Sequence, residues 1–130
     1  MPISPQWTDE RKAAIVITYQ GHWTWDEFQG AVDATNALMN SVDYPVVLIH
    51  NTLGGSALPP GNILAQGRTA IAGFSNNLAL IIVVANSTLI RTFVNIAASL
   101  NPGGRGNIIK TVATLEAALD TLEKALANPS

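Results

Sequence analysis

Runs rich in β-branched residues at positions 14–19, 44–49, 78–85 and 107–112 alternate with stretches whose apolar residues recur every three or four positions. Continuous or period-two apolar character suits a strand, whereas a period near 3.6 suits one face of a helix. A chain that switches between these rhythms buries both kinds of element by laying helices over an inner sheet. The expected fold is therefore a single α/β domain, with a mixed sheet of four or five strands and about four helices. At 130 residues, one core of this kind removes roughly two thirds of the unfolded chain's surface from water. In such folds ligands gather where strands end, so functional residues are sought there.

Local signals give the boundaries. Positions 3–8 form a first strand, and Asp9-Glu10-Arg11-Lys12 turns it back as a hairpin onto 14–19. Thr24-Trp25-Asp26-Glu27 has the form of a capping box and opens a helix reaching about Ser41, with Trp25, Phe28, Val32, Thr35 and Met39 on its inner stripe. After the strand at 44–49 comes a loop dense in turn-formers, positions 51–62, with Pro60 suited to the first turn of a helix ending near Gly73. Ser87 caps a third helix with Ile90, Phe93, Val94, Ala97 and Leu100 inward, and Thr114 caps a last one with Leu115, Ala118, Leu119, Leu122 and Leu126 inward.

Charge and composition narrow the function classes. A net charge of −2 offers no basic stripe, so no nucleic-acid partner is expected. Cysteine is absent, which removes disulfides, thiolate catalysis and cysteine-held zinc. The apolar run at 78–85 is far shorter than the roughly 20 residues that span a bilayer, and Met1-Pro2-Ile3-Ser4-Pro5 lacks the basic-then-apolar pattern of a secretion signal. A cytoplasmic protein without a membrane partner is expected, in which the sequon Asn86-Ser87-Thr88 is incidental. Between Tyr44 and Gly104 the only formal charges are Arg68 and Arg91. That segment is either unusually buried, faced with neutral amides and hydroxyls, or partly covered by a partner or ligand.

The order strand, strand, helix, strand, loop, helix, strand, helix, strand, helix resembles a STAS-type domain. Gly21 to Phe28 (Gly-x-x-Thr-x-Asp-x-Phe), Val46-Val47-Leu48-Ile49 before a loop-to-helix switch, and the ending Thr114-Leu115-Glu116-Ala117-Ala118-Leu119 carry the likeness. This family contains bacterial anti-sigma-factor antagonists and the cytoplasmic tails of sulfate transporters. The resemblance implies a non-enzymatic regulatory or protein-interaction module. In the antagonists an Asp-Ser-Ser-Gly element opens a helix and its serine is phosphorylated; here Leu58-Pro59-Pro60-Gly61 stands at that spacing. Proline has no hydroxyl, and the preceding strand ends in His50-Asn51 rather than a carboxylate, so the phosphoserine switch is not expected.

The candidate ligand- or partner-binding residues are His50, Asn51, Ser56, Leu58 and Trp23. His50 is placed at a strand end beside a glycine-rich loop, where an imidazole either meets a ligand or ties down the turn. His50, Ser56 and Asp43 can be written as a triad, but no Gly-x-Ser-x-Gly elbow supports one. Gly54-Gly55-Ser56 and Gly103-Gly104-Arg105-Gly106 lack the lysine or dinucleotide context of phosphate loops and read as turns. His22 and Asp26 alone do not make a metal site, and no cofactor is implied. Of Trp23 and Trp25, one is expected to pack inward and the other to stay partly exposed. The leading expectation is an interaction module, homodimeric through helices near 63–71 or 90–100. The alternative is a binder of a small apolar or amphipathic ligand under the 51–62 loop, lined by Leu53, Leu58 and Ile63. An enzyme using His50 ranks last, since no complete catalytic constellation accompanies it.

Overall fold

The computed structural model describes residues 2–55, 58, 59, 61, 63–100 and 104–127. The elements run β1 (Ile3–Trp7), β2 (Ala14–Gly21), α1 (Trp25–Met39), β3 (Val46–Gly55), α2 (Ile63–Gly73), β4 (Leu78–Val84), α3 (Thr88–Ser99), β5 (Ile109–Val112) and α4 (Leu115–Ala127). A short 3-10 turn, Gly106–Ile108, leads into β5 where the sequence pattern places strand from 107. The five strands lie in sequence order, β1-β2-β3-β4-β5. The β1–β2 hairpin is antiparallel, and every later pairing is parallel. The single mixed α/β sheet with four helices is the class read from the alternating rhythms.

The helices divide unequally between the faces. Ile15, Ile17, Val46, Leu48, Ile81 and Val83 pack with Ala31, Val32 and Met39 of α1, Ala70 and Phe74 by α2, and Ile90 and Val94 of α3. Val47, Ile49, Ile82 and Val84 point the other way, against Ala118 and Leu122 of α4. Because side chains alternate along a strand, the unbroken apolar sequence of β3 and β4 feeds both cores at once. This accounts for much of the charge-poor middle of the chain.

The capping signals act as read. The Thr24 hydroxyl accepts from the Glu27 amide at 3.1 Å while the Glu27 carboxylate accepts from the Thr24 amide at 3.0 Å. Ser87 accepts from the Ile90 amide at 3.4 Å and Thr114 from the Ala117 amide at 3.0 Å. Pro60 lies outside the described residues. Two inner stripes are narrower than the periodicity implied: Leu100, Leu119 and Leu126 are exposed.

The largest departure from the sequence reading is the length of β3. Its C-terminal half occupies positions assigned to the loop, with Gly54 paired to Gln20 and Gly55 to Gly21 after a register shift in β2. The glycines permit this rather than turning the chain. A Cβ on Gly54 would lie 3.0 Å from the Tyr19 carbonyl oxygen, and one on Gly55 3.0 Å from the Tyr19 Cβ. Absence of a side chain lets the extended strands stay close.

A polar latch holds the turn after α2. Arg105 donates from one guanidinium nitrogen to the carbonyls of Ile71 (2.8 Å) and Phe74 (2.7 Å), and from another to Ser75 (3.0 Å). These are carbonyls at a helix end, where a cation also meets the negative end of the helix dipole. From α1, Asn36 donates to the Gly73 carbonyl at 3.0 Å and accepts from the Ser75 amide at 2.9 Å. Arg105→Ala is expected to lower unfolding free energy by about 2 kcal/mol in urea denaturation, since it strands several carbonyls at once. Arg105→Lys should recover less than half of the loss, because an ammonium cannot reproduce the planar fork.

Candidate functional site

Extension of β3 carries His50 into the middle of a strand, and its parity with Val46 and Leu48 turns the ring toward α1, α2 and α3. Tyr19, on the adjacent β2, faces the same way. The Tyr19 hydroxyl and His50 Nδ1 are 2.8 Å apart and share a hydrogen bond, with Tyr19 4% and His50 9% exposed. The pair forms part of the wall of a partly open cavity of about 100 Å³.

Each wall is set by its element. The sheet contributes Thr52, Ile81, Val83 and Ile109 besides the polar pair. The entrance to α1 contributes Trp23, Trp25 and Phe28, joined edge to face and tilted, with Tyr19 against Trp23 at 5.4 Å between ring centres. Helices α2 and α3 contribute Gly67, Ala70 and Ile71 on one side and Ile90, Phe93, Val94 and Ala97 on the other, with Phe74 following α2. Phe74 approaches the His50 ring at 6.0 Å between centres. None of the described lining residues carries an acidic or basic side chain other than the imidazole.

Of the sequence-derived candidates, His50, Leu58 and Trp23 line this cavity. Asn51 does not: it points to the other face, where its side-chain oxygen accepts from the Leu53 amide at 3.3 Å. Leu53 is 41% exposed, and neither it nor Ile63 is part of the lining. Ser56 lies outside the described residues, so no triad geometry with His50 is defined. Asp43 is likewise absent from the lining. Trp23 and Trp25 do not divide into one inward and one outward ring; both are half-buried and both face the cavity. Among the described residues no cluster of three or more His, Cys, Asp or Glu side chains is close enough to hold a metal.

Sequence reasoning missed Tyr19, which read only as the last residue of a strand. Its partnership with His50 depends on parallel register, and nothing local to either residue encodes that. Arg105, weighed as part of an anion-binding turn, instead spends its guanidinium on carbonyls beside Ile71 and Phe74.

Chemically, the site is an apolar chamber with one neutral polar pair. Burial pushes the His50 imidazole down from 6.5 to about 4, and the same desolvation raises Tyr19 above its ordinary value. Both are uncharged near neutral pH. Thr52 is already engaged, its hydroxyl donating to the Val84 carbonyl at 2.7 Å. No helix of the described residues is long and apolar enough to cross a membrane. Neither a scan against protein-family models nor a search of curated proteins finds a match to this chain.

The lowered imidazole basicity makes stability depend on pH with a definite sign. The unfolded chain takes up a proton on His50 near 6.5, and the folded one only near 4. Stability is therefore complete above 6.5 and is lost as pH falls toward 4, by about 3 kcal/mol in all. Hydrogen bonding to Arg11 holds Asp9 and Glu123 below their ordinary values of 3.8 and 4.5, so their contribution disappears at still lower pH. Urea denaturation at stepped pH should show the first decline, and His50→Asn should flatten it while leaving the lower one.

Proposed function

We propose that this protein is a non-enzymatic binding module that holds a small apolar or amphipathic molecule in the chamber beneath α1, α2 and α3. The single observation carrying the reading is a partly open cavity of about 100 Å³ whose described lining is mainly aromatic and aliphatic. Small-molecule sites are concave and mostly apolar with a few polar groups, and apolar cavities of roughly 150 Å³ accept benzene. The resemblance to a STAS-type regulatory domain is supported by the element order, and the two ideas combine: ligand occupancy would be what such a cytoplasmic module reports.

Toluene is the direct probe. It is expected to bind with a measurable heat and to alter the fluorescence of Trp23 and Trp25, which form part of the wall. Ala97→Leu projects extra carbons from α3 into the space and should weaken toluene at least about tenfold, with no loss of unfolding midpoint. A native chain that takes up no toluene at its solubility limit removes this reading.

A second reading, protein interaction through homodimerisation, rests on a different surface. Leu89, Ile96 and Leu100 are 58%, 43% and 47% exposed along α3 and its cap, at helical spacings of seven and four. The helix carries only Arg91 as a formal charge, and that side chain donates to the Ala85 carbonyl at 2.9 Å. An apolar row of this kind is what a partner covers. Light scattering on the eluting protein at micromolar concentration should give twice the chain mass, and Ile96→Glu should return it to one; a native monomer ends the dimer reading.

A further inference from the structure

We propose that the chamber's ligand is a small uncharged alcohol of phenol-like size whose hydroxyl docks on the Tyr19–His50 pair. The inference rests on the binding reading above and narrows it to a chemical class. Hydrogen-bond inventory sets the first limit. The pair holds two hydrogens, one on the phenol oxygen and one on the imidazole, and the bond between them uses one. If Tyr19 donates to Nδ1, the imidazole keeps its hydrogen on Nε2 and presents a donor. If Nδ1 donates to Tyr19, the tyrosine hydroxyl hydrogen is left and Nε2 presents a lone pair. A ligand hydroxyl both gives and accepts, so it satisfies either tautomer.

His50 makes no other hydrogen bond among the described residues, although its side chain is more than nine-tenths buried and faces the cavity. Its Nε2 is not among the sealed side-chain atoms that lack a partner, so it opens on the cavity, where a ligand can reach it. The second limit is charge. With no charged side chain among the described lining residues, and His50 neutral, a carboxylate or ammonium would be stripped of water without compensation. The third is shape. Trp23, Phe28, Phe74 and Phe93 offer ring faces and edges around the space, and aromatic guests pack well against these.

Phenol, toluene and benzoate separate these limits, because phenol and toluene match in size and differ in the hydroxyl. A wholly apolar cavity prefers toluene, since phenol surrenders hydrogen bonds to water on entry. The native protein is expected to bind phenol at least as tightly as toluene and to exclude benzoate. In the double variant Tyr19→Phe/His50→Leu both polar partners go together, so no orphaned group remains. Its phenol affinity should fall at least about tenfold relative to toluene. An independent readout uses the native chain: phenol should move the ring-nitrogen resonances of His50, and toluene should not. Toluene binding with phenol rejected overturns the alcohol assignment while leaving the apolar-binding reading intact. An unchanged phenol-to-toluene ratio in the double variant, or silent His50 resonances, also overturns it. Failure of both probes to bind removes the two together.

Discussion

Along its first half, Val46 to His50, β3 is buried on both faces. That strand lies between β2 and β4, with α1, α2 and α3 over one side and α4 over the other. Its inward positions must therefore be apolar or hydrogen-bonded, because an unpaired polar side chain there forfeits its hydration with nothing in return. Val46 and Leu48 obey the first rule. His50 obeys the second through Tyr19 alone, at 2.8 Å. The position of the polar pair, the neutrality of its members and the sensitivity of stability to acid all descend from this double covering.

Legibility in the sequence follows the range of each interaction. Thr24 with Glu27, Ser87 with Ile90 and Thr114 with Ala117 lie within one helical turn, and their caps were readable as motifs. The strand at 78–85 was readable because solvent exclusion on both faces demands an unbroken apolar run. Gly54 and Gly55 misled for the opposite reason. Glycine marks a turn when φ must be positive, and it also marks a close approach of two strands. Only the register with Gln20 and Gly21 distinguishes the cases, and register is a long-range property. That ambiguity displaced His50 from mid-strand to a strand end and kept Tyr19 out of consideration. Leu100 and Leu119 show another limit: periodicity gives the apolar stripe of a helix but not how much of it the sheet covers.

The chamber also depends on long-range polar ties. Ile71 and Phe74 belong to the segment that Arg105 grips by its carbonyls, and Asn36 holds the following residues from the opposite side. One anchor comes from the segment just before β5 and the other from α1. Elements far apart in the chain thus fix the same wall, and the aromatic ring of Phe74 is held toward His50.

What keeps the space open is the pairing of small residues with one large ring. Gly67 and Ala70 on α2 face Phe93 and Ala97 on α3, and a Cβ on Gly67 would fall 2.8 Å from the Phe93 ring edge. The glycine gives the ring its seat, while the two alanines leave unoccupied volume beside it. Leucine and phenylalanine in place of the hydrogen-bonded polar pair would cost little or nothing, so a filled core does not require the pair. Both departures from a filled apolar core fall at one place. Local rules broken together amid an otherwise consistent structure are expected at functional or strained sites.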